Sequence, residues 1–322
     1  MRQGLRVDLA FRRAETQPMG SLKSAAVLVV IAVVGSCASC GRADFGGAEK
    51  TYAQSGKLLK MNPKSAPFPH PERKNGYVHD GEFFRFKNHY DDDTVALFVP
   101  RRYRSEEDVD LVFYFHGWRQ NLAGVLSSYE IIEQFVRSRR NAILVIPQGP
   151  KDAPDSFGGK LEDGDGFRRL VGDILARLRR LGISRAEKPG AIVLAGHSGG
   201  YHVLAQILAR GGLTGNIREV YLFDALYGEA DEFAYWLEDQ KGKIIDIYTQ
   251  DGGTKAESED WLAALTGRGI RCLAARDSEV TDHDLMTNRV IFLASALGHD
   301  EVVYRDNAFS RFLEASQLGL TD

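Results

Sequence analysis

Cysteine is scarce in this chain, with three among 322 residues. That excludes a small disulfide-stapled scaffold, and the three do not stand at zinc-ligand spacings. Charge of one sign is not in excess either. The 41 basic and 44 acidic residues leave a net charge of −3, so the electrostatic footprint of a nucleic-acid-binding protein is missing and no nucleic-acid partner is expected. The apolar run Ala25–Gly35 is only eleven residues long, well short of the roughly 20 needed to span a bilayer. There is no H-E-x-x-H pair and no G-x-G-x-x-G after the first strand, so neither a metal nor a dinucleotide cofactor is expected. The acidic groups Asp91-Asp92-Asp93 and Asp152 to Asp165 lack the alternating ligands and closing glutamate of a calcium loop and read as solvated turns. What is present is a globular composition, 43% hydrophobic and 26% charged. It leaves room for one large α/β domain or two ordinary ones.

The run Ala25–Gly35 follows Lys23 and ends in Ser36-Cys37-Ala38-Ser39-Cys40. A basic start, a short apolar stretch and a small-residue exit describe a secretory signal peptide. Val34-Gly35-Ser36-Cys37 is similar to the bacterial lipobox, which implies acylation of Cys37 and a membrane tether through its acyl chains. Simple secretion and an uncleaved anchor are the alternatives. Residues 1–36 are therefore expected to be a signal peptide, and the chain to lie in a bacterial envelope or periplasm. Residues 37–75, with Pro63, Pro67, Pro69 and Pro71 and little apolar periodicity, read as a linker. The folded body is expected over 76–322. Cys272, in an apolar stretch, reads as a core residue.

In that body short apolar runs alternate with helical patterns. Leu111–Phe115, Ala142–Ile146, Ala191–Leu194, Val220–Phe223, Ile244–Tyr248 and Ile270–Ala274 are continuous rather than alternating, as suits strands covered on both faces. Phe167, Leu170, Val171, Ile174, Leu175 and Leu178 recur at three and four, the helical period, behind Asp165 as a cap. Glu82–Phe86 and Thr94–Val99 alternate and predict an antiparallel hairpin at the sheet edge. The class is α/β: an open, mostly parallel sheet with helices on both faces. Ligands then bind beyond the carboxyl ends of the strands.

At one such end stands Gly196-His197-Ser198-Gly199-Gly200, between an apolar strand and the helical stretch Tyr201–Ala209. This is the G-x-S-x-G elbow in its required setting. The turn lifts the serine oxygen clear of the sheet and sets it at a helix N-terminus, where the dipole favours a developing anion. On these residues the chain resembles the α/β-hydrolase superfamily over nearly all of the body. Phe115-His116-Gly117-Trp118-Arg119-Gln120-Asn121 looks like the oxyanion-hole loop of its secreted esterases, and Glu162–Phe167 like the acidic turn of the polyhydroxybutyrate depolymerase and feruloyl esterase group. The resemblance implies a catalytic Ser198 and backbone N–H donors at Trp118 and Gly199.

It also implies a histidine late in the chain. His283, on the loop after Ile270–Ala274, is where the family places its base, and His299 is the runner-up. For the acid, Asp224 ends an apolar strand where a carboxylate is costly unless paired. Asp251, in Gln250-Asp251-Gly252-Gly253, holds the commoner family position, and Asp277 and Asp282 are weaker alternatives. Asp224 is preferred. The expected activity is acyl-ester hydrolysis of a small or medium substrate through an acyl-enzyme, with Trp118, Phe157 and Tyr201 lining the pocket. An exported amidase or peptidase, or a catalytically silent envelope binding protein, are the competing readings.

Overall fold

The structure is a computed structural model and describes residue 45 and residues 47–321, all within one compact unit. Among the described residues eleven strands are formed: β1 (Gly56–Met61), β2 (Tyr77–His79), β3 (Glu82–Phe84), β4 (Val95–Pro100), β5 (Val109–Phe115), β6 (Ile143–Pro147), β7 (Pro189–His197), β8 (Ile217–Phe223), β9 (Lys243–Thr249), β10 (Leu273–Arg276) and β11 (Val290–Ser295). Nine of them make a single sheet in the order β1-β4-β6-β5-β7-β8-β9-β11-β10, and β2 pairs with β3 apart. Within the large sheet only the β1–β4 and β4–β6 pairings are antiparallel, as is the separate β2–β3 pair. The remaining pairs of the large sheet are parallel. This order and these directions are those of the α/β-hydrolase fold.

The helices are α1 (Ala48–Thr51), α2 (Phe86–His89), α3 (Leu122–Ser128), α4 (Ile131–Arg137), α5 (Gly166–Arg180), α6 (Tyr201–Arg210), α7 (Ala230–Gln240), α8 (Lys255–Gly267), α9 (Asp282–Thr287), α10 (Glu301–Tyr304) and α11 (Ala308–Glu314). They cover both faces. One core holds the α5, α6, α7 and α8 side chains against strand residues such as Leu111, Phe113, Leu194 and Phe292. The other holds α3, α4 and α11 against Val112, Tyr114, Val193 and Tyr221. Alternate residues of the same strand feed opposite cores, which is why these strands read as unbroken apolar runs. On α5 all six apolar residues of the predicted face are buried. Its N-cap, Asp165, does not cap through its side chain; the carboxylate lies 3.5 Å from Arg168 instead. Cys272 is half-buried against the first core. Among the described residues no helix is long and apolar enough to cross a membrane.

The expected linker is corrected in part. Phe45 and Tyr52 are core residues, β1 pairs along its whole length with β4, and Phe68 is buried against Tyr90 and Phe157. The folded body therefore includes residues well ahead of 76. Lys57 and Lys60 make β1 look like a solvated segment, yet lysine is what an edge strand carries to discourage further pairing. The hairpin is corrected too: β3 pairs with β2, while β4 lies between β1 and β6. The expected signal peptide and Cys37 fall outside the described residues.

Candidate active site

Parallel packing of β5 on β7 brings their carboxyl ends together, with Phe115 opposite Gly196. Beyond β7 the chain turns sharply at Ser198, whose φ is +53°, and enters α6. A left-handed non-glycine residue costs on the order of 1–3 kcal/mol and persists only where its surroundings over-determine it. Here they do. A Cβ on Gly200 would stand 2.8 Å from the Phe115 carbonyl oxygen, and one on Gly117 would stand 2.5 Å from Ser198 Cβ. The loop after β5 therefore passes directly against the serine, and the backbone at Gly117-Trp118 shares the serine's immediate surroundings.

That loop is pinned by His116. Its Nε2 accepts from the Gly149 N–H at 3.0 Å, which leaves Nδ1 to donate to the Gly117 carbonyl at 2.9 Å. Burial pushes its pKa down, so the ring is neutral, as this pairing of one donor and one acceptor requires. His116 is structural.

Asp224 follows β8 with φ of +45° and is fully buried. Its Oδ1 accepts from the Thr249 N–H at 3.0 Å and from the Thr254 hydroxyl. Its Oδ2 accepts from Thr249 Oγ1 at 2.8 Å and faces His299 Nδ1 at 2.6 Å. Burial alone would raise this carboxyl, but the bonds from His299, Thr254 and Thr249 outweigh it and hold the pKa below the ordinary range. The acid is thus ionised, and Nδ1 of His299 carries the proton it accepts.

His299 lies on the turn after β11 and is tied to the elbow itself. His197, immediately before the serine, faces the His299 carbonyl with Nε2 at 3.0 Å, and the two ring centroids are 4.7 Å apart. Burial and the neighbouring His299 lower His197 to a pKa of about 4, so it is a neutral donor. Tyr227, whose hydroxyl interacts with Ser198 and donates to the Gly252 carbonyl, has its ring 6.4 Å from that of His299. Asp224 thus meets His299, and His299 is held through its carbonyl to His197, the residue next to Ser198.

The structure does not bring His283 there. That residue is exposed on α9, where its carbonyl accepts from the Thr287 hydroxyl. The reason is the strand order. β10 is the outermost strand and β11 is inserted between it and β9, so the loop after β10 starts three strand spacings from β8, about 14 Å, and the turn after β11 only two. Counting strands along the sequence does not reveal that inversion. The missed signal was the unbroken run Val290-Ile291-Phe292-Leu293-Ala294. Asp251 is exposed in the turn after β9. Asp277 accepts from Ser295 Oγ at 2.5 Å, and Asp282 lies 3.7 Å from Arg311; both are engaged away from His299.

Phe157 is buried between Phe68 and the Arg73 guanidinium, which sits 4.3 Å over its ring. It lines, with Gly199 and Gly200, a cavity of about 20 Å³, room for about one water. The exposed aromatics at the site are Trp118 and Tyr227, at 44% and 38%. Tyr201 is half-buried beside Tyr227, with centroids 6.0 Å apart. Among the described residues, the grouping of three metal-type donors is His197, His299 and Asp300. One nitrogen on each of its two rings is already engaged, by the His299 carbonyl and by Asp224.

No protein-family model and no curated protein sequence matches the chain. Solved structures do. It is similar to a feruloyl esterase module from Clostridium thermocellum in complex with sinapinate (10% identity, TM-score 0.48, covering 81% of this chain and 88% of that one). It is similar to a ferulic acid esterase from Anaeromyces mucronatus in complex with ferulic acid (12%, 0.44, 81% and 92%). It is also similar to an S-formylglutathione hydrolase from Agrobacterium tumefaciens (13%, 0.40, 82% and 95%). The chain's own strand order and the turn at Ser198 make its fold that of an α/β-hydrolase.

Proposed function

We propose that the protein is a serine hydrolase of acyl esters. The observation that carries this reading is the buried, ionised Asp224 held 2.6 Å from His299 Nδ1, on a histidine anchored to the residue before the elbow serine. A carboxylate in so apolar a place has no reason to stay charged unless it orients a partner. Here it fixes the tautomer in which His299 Nε2 is a base.

In the proposed cycle Ser198 Oγ attacks the ester carbonyl carbon while His299 Nε2 takes its proton. The resulting imidazolium is stabilised by Asp224, which remains unprotonated. The backbone N–H groups of Trp118 and Gly199 receive the oxyanion. Such donors act on charge that appears only in the transition state, where loss of one side-chain donor elsewhere costs about 2.7–4 kcal/mol. His299 then protonates the leaving alkoxide, an acyl-Ser198 remains, and water enters by the same steps in reverse roles. The leader and Cys37 support reading this enzyme as exported and lipid-tethered. Incorporation of labelled palmitate that is lost in Cys37→Ser tests the tether.

The test of the chemistry is a fluorophosphonate probe together with a p-nitrophenyl ester series. Covalent labelling and turnover that both vanish in Ser198→Ala support the assignment. Absence of both in the folded wild-type protein overturns it and favours a binding protein. Faster cleavage of matched amides than of esters would make the enzyme an amidase.

A further inference from the structure

His202, on the first turn of α6, belongs to no part of the proposed cycle, yet it is among the most strongly bound side chains near the site. Its Nε2 lies 3.1 Å from Glu162 Oε1 and its Nδ1 lies 2.6 Å from Glu229 Oε1. With a carboxylate on each nitrogen, both must donate, so the ring is an imidazolium. The two glutamates come from different loops. Glu162 also accepts from the Gly158 N–H at 2.5 Å, which ties it to the segment whose Ser156 Oγ accepts from Trp118 Nε1 at 2.7 Å. Glu229, two residues after Tyr227, also accepts from Gln206 Nε2 at 3.2 Å and holds a left-handed φ of +59°. Trp118, on the loop after β5, is thus bonded to the segment that carries Glu162, Tyr227 stands two residues before Glu229, and the His202 ring joins the two glutamates.

We infer that His202 is a positioning residue that sets the separation of Trp118 and Tyr227, and with it the enzyme's discrimination by acyl-group size. This rests on the proposed esterase reading and goes beyond it by assigning a residue that governs substrate choice. An acetyl group offers little surface for either exposed aromatic to contact, whereas a bulky or aromatic acyl group offers more. Loss of the clamp costs the large substrate and spares the small one. The two glutamate bonds hold the ring's pKa up at about 10. The groups facing it are Glu162 from the loop before α5, Glu229 from the loop before α7, and Tyr201 and Gln206 on its own helix. The selectivity should therefore decay as pH approaches 10 and the ring loses the proton that one carboxylate needs.

The experiment compares kcat and KM of wild type and His202→Gln for p-nitrophenyl acetate and for a p-nitrophenyl ester of a bulky aromatic acid, from pH 7 to 10.5. The rate of fluorophosphonate labelling is measured alongside. We expect KM for the bulky ester to rise about tenfold in His202→Gln, with acetate kcat/KM and the labelling rate within twofold of wild type. The wild-type bulky-to-acetyl ratio should fall toward the variant's as pH nears 10, while the variant's ratio stays flat. Equal losses on both esters, or an unchanged ratio, overturn the inference while leaving the hydrolase reading standing. An unlabelled wild type fails the hydrolase reading instead. Should His202→Gln not fold, Glu162→Gln, which keeps an acceptor but removes the charge, must shift the ratio in the same direction, and an unshifted ratio there also overturns the inference.

Discussion

Asp246 sits in the middle of β9, and its stability cost should be visible in a pH series. The side chain is fully buried, and neither carboxyl oxygen has a hydrogen-bond partner. Ser258 on α8, buried and equally without a partner, is the polar group facing it. Burial, with a smaller push from the Asp224 charge, raises its pKa from 3.8 to about 7. A folded pKa above the unfolded one means that folding favours the protonated form. The contribution is fully present below about pH 4 and is lost as pH rises through about 7. At about 1.4 kcal/mol per unit, the shift corresponds to on the order of 4 kcal/mol across that window. Asp246→Asn removes the titration and keeps the shape, while its unpaired amide adds a cost that does not vary with pH. Urea unfolding of both proteins at pH 4.5 to 8, with m held common, isolates the effect. The difference in unfolding free energy, variant minus wild type, should climb with pH by a few kcal/mol in the variant's favour. A difference flat to within about 0.5 kcal/mol across the range would refute the assignment of a neutral buried acid.

Three further outcomes are expected of the same molecule. Asp224→Asn should lower kcat for an activated ester by about 10⁴, the scale set by loss of the tautomer-fixing carboxylate elsewhere, whereas Asp251→Asn should change it less than twofold; steady-state kinetics on both variants decide. Gly117→Ala places a methyl 2.5 Å from Ser198 Cβ and should abolish fluorophosphonate labelling, with far-ultraviolet circular dichroism confirming that the fold survives. Lys243, 3.8 Å from the buried Glu219 and bonded to the Ala315 carbonyl, should cost about 3–5 kcal/mol when replaced by Met, because a buried charge loses its partner. Chemical denaturation measures that, and a loss under 1 kcal/mol contradicts it.

Much of the site is legible in the sequence for local reasons. The elbow announces itself because its glycines are required by backbone approaches a few residues away in the fold, such as Gly200 against the Phe115 carbonyl. Asp224 stands out as a carboxylate in an apolar strand end, where a partner is obligatory. The six-residue face of α5 follows from one period. What the sequence hides is order in space. Nothing local distinguishes β10, the last edge strand, from β11, which lies inside it; that single inversion puts His299 rather than His283 beside Asp224. Edge strands are the least legible elements for the same reason that they are safe at an edge. β1 is short and lysine-bearing, and its pairing with β4 depends on residues about 40 positions away. The burial of Phe157 is likewise decided by Phe68 and Arg73, both from the stretch expected to be a linker. Tyr227 and the His202 clamp are visible only once three separated loops are brought together.

The most direct test of the account exchanges the two late histidines. His299→Ala and His283→Ala are compared with wild type for the rate of covalent fluorophosphonate capture and for ester turnover. The arrangement at Asp224 predicts that removal of the imidazole at position 299 slows both by three orders of magnitude or more, and that removal of the one at 283 leaves both within twofold. Normal capture without His299, or a collapse without His283, contradicts it.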